Sequence, residues 1–313
     1  MGQGHPRRGH QDSVIARGSV PVVGLLVAGD RTYPSVVAFS EEIETLGYKD
    51  GETVRVEARF ADGRLDELPT LAEDLVRCGV DVIAVIGAVA YWAARKAAPD
   101  LPILFAVVLD PAAAGMVDNA HRPGRLETGC TNFDPGQISE QIRLLKTVVP
   151  GLRRLALLGD AGVPDTLPSL ARVAAEKDGL DAHVVLLKRR GDLAPAFAEI
   201  TAKGAEALVC LEVPRVATCG AEIIRLASAV RLPAIFGRDH ARYGPLMAYG
   251  TSLAAASRRM AFQLDEVLRG TAVGEIAIEG IIHPELIINL NAARELEISL
   301  PRDLLRSAHK VLG

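Results

Sequence analysis

The chain has 313 residues, of which 49% are hydrophobic and 24% are charged, and its formal net charge is -4. This length predicts two domains of ordinary size, each with its own core. The weakly acidic balance argues against nucleic acid or an anionic membrane as a partner, because both leave a basic footprint. No run of 18 apolar residues occurs, so no membrane-spanning segment is predicted.

The N-terminal stretch 1–20 is predicted to be a disordered leader. It is basic and polar, and it lacks the apolar region of a secretory signal peptide. The cysteines are scattered and form no CxxC pair, so neither a zinc site nor a redox motif is expected. We predict no cofactor and no metal.

From Pro21 onward, short β-branched runs alternate with amphipathic helical segments. The first half predicts strands at "PVVGLLVAG", "TVRVEARFA", "VDVIAVIGA" and "PILFAVVLD", with helices between them. A loop rich in Gly, Pro and Asp follows between about Pro111 and Gly129, and we interpret it as a crossing between two lobes.

The alternation then restarts. Asp134 is expected to cap a helix that has Pro135 at its first position and Gln137 three residues after the cap. Strands are predicted at "RLALLGD", "AHVVLLK", "EALVCLEV", "LPAIFGRD" and "LMAYG", and a long helix after the last of them ends at Gly270. Two sets of four βα units predict an α/β fold of two doubly wound parallel-sheet lobes with a ligand cleft between them.

Ligands of such sheets bind beyond the carboxyl ends of the strands, so the residues that leave each strand are the candidates for a site. The Gly87 turn precedes a helix, and its backbone N–H groups suit a carboxylate; a plain tight turn is the alternative. Tyr33, Phe133 and Tyr249 are candidates for enclosing an apolar or aromatic group. The candidates at the strand ends are Asp30, Tyr33, Gly87, Ala88, Val89, Asp110, Glu212, Asp239 and Tyr249.

Sequence signatures of catalysis are missing. The chain has no G-x-x-x-x-G-K-[ST] loop, no G-x-S-x-G elbow and no G-x-G-x-x-G after its first strand. An enzyme would have to use Asp30, Asp110, Asp239 and His240 as acid–base groups. A binding protein that performs no chemistry is the favoured interpretation.

Five segments, in this order, carry a resemblance to a known family: "LGYKDGETVRVEARFADG", "LAEDLVRCGVDVIAVIGAVA", "PILFAVVLDPAAAGMV", "YGPLMAYGTSL" and "ELIINLNAARELEISLPRDLLRSAHKVL". The chain resembles the substrate-binding proteins of ABC transporters, of the tryptophan/tyrosine-binding type with the periplasmic binding protein-like type I fold. The resemblance spans essentially Pro21 to the end.

The resemblance implies two lobes, joined by three crossings, that close over a small solute by a hinge motion. It implies an amino acid or related carboxylate as ligand, an ABC permease as partner and a periplasmic location, although the sequence shows no export signal. A cytosolic small-molecule sensor with the same fold is the alternative. The lobes would comprise 21–128 with 249–282, and 129–248 with 283–313.

Carried onto this sequence, the resemblance implies that the Gly87-Ala88-Val89 turn meets the ligand carboxylate. The family usually has a Ser or Thr in this turn, whereas Ala88 and Val89 leave only backbone donors. Asp110, Asn132 and Glu212 would supply polar contacts, with Tyr33 and Tyr249 nearby. Gly250 would allow the backbone change of a crossing.

Overall fold

The computed structural model describes residues 20–313 apart from positions 109, 113, 118, 122, 124 and 125. The predicted leader therefore lies, except for Val20, outside the described residues. The strands are β1 (Val22–Val27), β2 (Arg55–Phe60), β3 (Val82–Ile86), β4 (Ile103–Val108), β5 (Glu127–Thr131), β6 (Arg154–Asp160), β7 (Asp181–Leu187), β8 (Ala207–Cys210), β9 (Ala234–Phe236), β10 (Met247–Gly250), β11 (Glu279–Gly280), β12 (Glu285–Asn289) and β13 (Lys310–Leu312).

The helices lie between these strands, as the alternating pattern predicts. Short 3-10 turns extend several of the connections. The α-helices are α1 (Pro34–Thr45), α2 (Leu68–Arg77), α3 (Ala88–Ala97), α4 (Gln137–Val148), α5 (Thr166–Lys177), α6 (Leu193–Ala202), α7 (Pro214–Thr218), α8 (Gly220–Ala229), α9 (Leu253–Leu268), α10 (Leu290–Glu295) and α11 (Arg302–Ser307).

The strands form two sheets. The first has the order β11-β5-β4-β3-β1-β2, and its paired strands are parallel. The second has the order β13-β12-β10-β9-β8-β6-β7, in which β10 and β12 pair antiparallel and the other paired strands are parallel. The predicted α/β class with two parallel-dominated sheets is confirmed.

Each sheet has a point at which its strand order reverses. In the first sheet this point lies between β1 and β3, and in the second it lies between β6 and β8. Connections on the two sides of such a point leave the sheet in opposite directions and open a crevice at the carboxyl ends of the strands. The segments that follow these four strands are therefore the first places to look for a ligand.

The long helix α9 shows that the chain passes from one lobe to the other. Its predecessor β10 belongs to the second sheet. The buried side chains of Met260, Leu264 and Val267 on α9 nevertheless pack in the first lobe, in the same core as Phe39 of α1. Burial of this stripe follows its helical spacing, and it fixes a crossing between Gly250 and the start of α9.

The strand ends place the other crossings between β5 and α4 and between β11 and β12. The Gly- and Pro-rich loop, which we interpreted as a crossing, instead leads back to the first sheet, because Glu127 of β5 is in register with Ile103 of β4. Divisions after residues 128 and 248 would cut β5 and β10. We therefore propose lobes comprising 20–131 with 251–282, and 132–250 with 283–313.

Helix α4 begins later than its capping pattern predicts. The Asp134 carboxylate accepts a hydrogen bond from the backbone N–H of Gly136 at 2.8 Å and so closes a turn before the helix. Gln137 is consequently the first residue of α4. Its side chain is not used in a capping box and is available for contacts with other parts of the chain.

The two lobes touch each other at several points. Nη2 of Arg215 donates to the carbonyl oxygen of Gly63 at 2.9 Å, and Nη1 of Arg242 donates to that of Thr32 at 3.1 Å. Cδ1 of Leu65 lies 2.8 Å from where a Cβ on Gly162 would be, so the backbone and this side chain approach closely. These contacts hold segments after β1 and β2 against segments of the second lobe.

Arg215 is also half of a buried ion pair. The Asp160 carboxylate at the end of β6 is 1% exposed, and Nη1 of Arg215 donates to its Oδ1. The backbone N–H groups of Arg215 and Gly162 donate to the same carboxylate at 3.0 and 2.8 Å. Asp160 is thus held by the turn after β6 and by the first turn of α7, and Arg215 extends this network to the first lobe.

Replacing Arg215 with Ala is expected to lower the free energy of unfolding by about 3–5 kcal/mol, because it leaves the Asp160 carboxylate buried without its counter-ion. Arg172→Ala is the matched control, since Arg172 pairs with Glu176 on the surface of α5 with both side chains about half exposed, and it should change the free energy by about 0.5 kcal/mol or less. Urea unfolding measures both. Equal midpoints for the two variants would contradict the structural role of Arg215.

Candidate ligand-binding site

Glu212 follows β8, at the reversal point of the second sheet. Its Oε2 accepts a hydrogen bond of 2.6 Å from Nε2 of Gln137. Its Oε1 is shielded from solvent and has no hydrogen-bond partner among the described residues. Burial raises the pKa of this carboxyl to about 7; the hydrogen bond from Gln137 opposes the rise and the nearby charge of Asp239 adds to it.

Gly237, directly after β9, leaves the space that the Glu212 carboxylate occupies. A Cβ on Gly237 would lie 1.9 Å from Oε1 and 2.2 Å from Cδ of Glu212. The backbone of Gly237 has a φ of -61°, which any residue adopts. This glycine is therefore required by the close approach of Glu212 and not by backbone conformation.

Tyr33 brings a phenol from the first lobe to the same place. It lies immediately before α1, beyond the end of β1. Burial raises the pKa of this phenol far above its ordinary value, and the negative charges of Glu212 and then Asp239 raise it further, while Arg242 acts in the opposite direction. Glu212 and Asp239 of the second lobe are thus near enough to act on the pKa of the Tyr33 phenol, and these effects keep it protonated.

Asp30 and Asp239 are both engaged in holding the backbone. Oδ1 of Asp30 accepts from the backbone N–H of Thr32 at 2.7 Å and from its hydroxyl at 2.6 Å, which shapes the turn before Tyr33. Asp239 accepts from Nη1 of Arg238 at 2.9 Å and from the backbone N–H of Ala254, in the first turn of α9, at 3.0 Å. Asp239 thereby anchors the second crossing.

His240 is a packed core side chain. It is 4% exposed, and its ring lies 5.8 Å from that of Phe236 and 6.0 Å from that of Tyr243, between centroids. Burial lowers its pKa to about 4, so its ring is neutral above that pH. This environment explains its presence beside the cleft without a role in proton transfer.

The Gly87 turn ends β3, next to β1 at the reversal point of the first sheet. Gly87 has a φ of +100°, which favours glycine, and its N–H donates to the carbonyl oxygen of Ala106 at 2.9 Å. Ala88 and Val89 are partly exposed in the first turn of α3, where backbone N–H groups have no acceptor within the helix. The turn is thus an available anion-binding group on the first lobe.

Asp110 and Asn132 lie near the first crossing. Asp110 is exposed after β4 and borders a cavity of about 240 Å³ that is also lined by Phe133 and Ile278. The backbone oxygen of Asn132 accepts from the Thr251 hydroxyl at 2.7 Å, so this residue connects the first and second crossings.

Tyr249 lies against α4. Glu140 and Arg143 are among the charged groups near its phenol, and its pKa is raised by burial first and by Glu140 next. Its backbone oxygen accepts from Nε2 of Gln141 on the same helix at 2.9 Å. The charges that act on Tyr33, in contrast, are those of Glu212, Asp239 and Arg242.

Two residues of this site are absent from the candidates that the sequence supplied. Gln137 contacts Glu212 directly, and Gly237 makes room for it. In the sequence, the position of Gln137 three residues after Asp134 indicates a helix cap. Gly237 is marked in the sequence only by its position at the end of a strand. Among the described residues, no group of three or more His, Cys, Asp and Glu side chains could hold a metal ion, and no helix is long and apolar enough to cross a membrane.

Comparison with known proteins places this geometry in context. A tyrosine-binding protein of Clostridioides difficile (strain R20291) is 22% identical over 266 residues, which are 83% of this chain and 75% of the relative. A domain from Streptococcus pneumoniae solved in complex with L-Trp superposes with a TM-score of 0.83 at 21% identity, over 94% of this chain and 100% of the other. A ligand-free, open substrate-binding protein from Clostridium difficile gives a TM-score of 0.63 at 19% identity, over 94% and 99% of the two chains.

The sequence also matches the family described as ABC transporter substrate binding protein over residues 20–312. The match confirms the resemblance that the five segments indicated. It also confirms that the protein binds a ligand and is not an enzyme, so Asp30, Asp110, Asp239 and His240 are not acid–base groups of a reaction. The chain belongs to the ABC transporter substrate-binding protein family.

Proposed function

We propose that this protein captures an amino acid, with an aromatic one favoured, by closure of its two lobes, and that it delivers the solute to an ABC permease from the periplasm. The observation that carries the proposal is the shielded Oε1 of Glu212, which has no hydrogen-bond partner among the described residues. The family is typically extracytoplasmic, which favours a transport receptor over a cytosolic sensor.

An unpaired carboxylate oxygen in a buried place is costly, because it has lost water and gained no donor in return. The α-ammonium group of an amino acid supplies both a donor and the opposite charge. It would use Oε1, since Oε2 is already bound to Gln137. We therefore assign Glu212 to the ligand ammonium group.

The ligand carboxylate is assigned to the first lobe. The Gly87-Ala88-Val89 turn offers backbone N–H groups at the start of α3, where the helix dipole also favours an anion. A ligand held by Glu212 on one lobe and by this turn on the other would join the lobes. One amino acid could make both contacts, its carboxylate with the turn and its ammonium group with Glu212.

Two observations favour a ligand with an aromatic side chain: the presence of Tyr33 at the site and the ligands of related proteins. Tyr33 follows the carboxyl end of β1, Glu212 is near enough to raise the pKa of its phenol, and a second aromatic ring would pack well against its ring. One relative is named for tyrosine binding, and one similar structure was solved with L-Trp. These observations support tryptophan or tyrosine as the first ligands to test.

Closure of the lobes is supported by the contacts between them. Arg215 reaches Gly63 and Arg242 reaches Thr32, each from one lobe to the other. The structure also superposes better on the domain with bound L-Trp than on the open ligand-free protein. Hinge closure allows a ligand that bridges both lobes to shift the equilibrium towards the closed form.

A ligand screen tests the assignment of Glu212. Tryptophan or tyrosine is expected to raise the melting temperature of the ligand-stripped protein, and Glu212→Gln should weaken binding about 10–100-fold, because it removes a charge-assisted hydrogen bond. Isothermal titration calorimetry gives the dissociation constants. Glu297→Gln is the control, since Glu297 pairs with Arg231 at the surface with 70% of its side chain exposed.

Two results would contradict the assignment. If none of the twenty amino acids raises the melting temperature, the ligand is not an amino acid. Binding that is equally strong in Glu212→Gln and in Glu297→Gln would leave the ligand in place but remove Glu212 as its ammonium-binding group.

Binding is also expected to depend on pH through Glu212. The ligand-free carboxyl has a pKa of about 7, and the ammonium group requires the ionised form. Below pH 7 the protein must release a proton to bind, so the affinity should rise about tenfold per pH unit from pH 5 to 7 and level off above pH 7. The charged or titratable groups facing Glu212 are Asp239 and Tyr33, with Arg242 beyond them; Tyr33 stays protonated over this range.

Calorimetry at several pH values, in buffers that differ in their ionisation enthalpy, measures both the affinity and the released proton. Glu212→Gln should bind weakly at every pH, with no slope below pH 7. A slope that persists in this variant would assign the proton to another group.

A further inference from the structure

Gln137 stands between the candidate ligand site and the crossings. It is the first residue of α4, so it follows the first crossing directly. Its Oε1 accepts from the backbone N–H of Thr251 in the second crossing at 3.2 Å. Its Nε2 donates to Oε2 of Glu212 at 2.6 Å. The Gln137 side chain thus contacts the second crossing and the Glu212 carboxylate, while its backbone continues the first crossing.

The two partners determine the orientation of the carboxamide. The backbone N–H of Thr251 is a donor and needs an oxygen, while the Glu212 carboxylate is an acceptor and needs the NH₂ group. A flipped amide would bring two donors together at Thr251 and two acceptors together at Glu212. The arrangement is therefore held from both ends, and it directs Nε2 to Glu212.

The second crossing is shaped to receive Gln137. Gly250 has a φ of +151°, and a Cβ there would lie 2.5 Å from Oε1 of Gln137. Thr251 is fully buried, and its hydroxyl donates to the backbone oxygen of Asn132 in the first crossing at 2.7 Å. The two crossings are thereby fastened to each other at the point where Gln137 enters.

We propose that Gln137 is a positioning residue, which holds Glu212 by one oxygen and leaves the other for the ligand, and which links this carboxylate to the backbone of the second crossing. The proposal rests on the function proposed above, because it assumes that Glu212 receives the ligand. It adds that capture of a cationic group is transmitted through a single carboxamide to the segment where the chain changes lobe.

The matched control lies one turn further along α4. Gln141 is buried, whereas Gln137 is partly buried, and Nε2 of Gln141 donates to the backbone oxygens of Tyr249 and Phe236. Gln141→Met therefore removes hydrogen bonds of a buried glutamine from the same helix without removing a contact to Glu212. Any effect of general destabilisation of α4 should appear in both Gln137→Met and Gln141→Met.

The first experiment uses ligand-free protein. The ionisation midpoint of Glu212 is followed by carbon-13 NMR of the glutamate side-chain carboxyls, with Glu212→Gln identifying the signal. Gln137→Met is expected to raise the midpoint, because the ionised form loses its donor, and Gln137→Glu should raise it further, because a second carboxylate then faces Glu212. Gln141→Met should leave the midpoint where it is.

The second experiment measures binding of tryptophan and tyrosine by calorimetry at pH 7.5. Gln137→Met should weaken binding about tenfold or more, and Gln141→Met should not. Hydrogen exchange at the Thr251 amide tests its hydrogen bond to Gln137. The Thr251 amide should exchange faster in Gln137→Met than in the wild type. In Gln137→Glu, which keeps an acceptor at this position, its exchange rate should stay closer to that of the wild type.

The two proposals fail differently. If wild-type protein binds neither amino acid, the assigned ligand is wrong, and the ionisation midpoint and the Thr251 exchange rate still decide the role of Gln137. An unchanged midpoint in Gln137→Met, or an equal change in Gln141→Met, would overturn the positioning role even if the ligand binds as expected. If Gln137→Met does not fold, Gln137→Glu supplies the same comparison.

Discussion

The carboxylate of Glu212, with one oxygen shielded from solvent, is the group on which the proposed ligand site depends. One of its oxygens is bound to Gln137, and the other is shielded without a hydrogen-bond partner among the described residues. The Glu212 carboxylate occupies space that a side chain at position 237 would fill, which is why a glycine stands there. Asp239 is close enough to raise the pKa of Glu212, but Arg238 and the start of α9 hold its own carboxylate. Of the two, Glu212 is the one that we propose for the ligand.

The second sheet presents two carboxylates at its reversal point, and they differ in what neutralises them. Asp160 at the end of β6 is paired with Arg215 and accepts two backbone hydrogen bonds, so its charge is compensated within the protein. Glu212 after β8 accepts from the Gln137 amide and forms no ion pair with a described residue. The same position in the fold therefore serves contact between the lobes through one residue and, as we propose, ligand binding through the other.

The sequence predicted the fold well because it depends on local patterns. The strands and helices follow from alternating apolar runs, and the strand ends supplied Tyr33, Glu212 and Asp239. Gln137 could not be found in this way, since its partners Glu212 and Thr251 lie 75 and 114 residues away in the chain. The position of Tyr249 was also beyond the pattern, because the alternation of a short strand does not say which face meets α4.

In the proposed hinge motion, two contributions to the free energy of closure matter: the contacts between the lobes and the contacts of both lobes with the ligand. The contacts from Arg215 to Gly63 and from Arg242 to Thr32 use backbone oxygens of the first lobe, so they need no solute to form. In the proposed hinge motion they would favour the closed form. The shielded oxygen of Glu212 has no donor among the described residues and would oppose closure, and an ammonium group bound there would remove this penalty. Because a ligand shifts the equilibrium only by its differential affinity for the two forms, the proposed contact with Glu212 is the one through which an amino acid would favour closure.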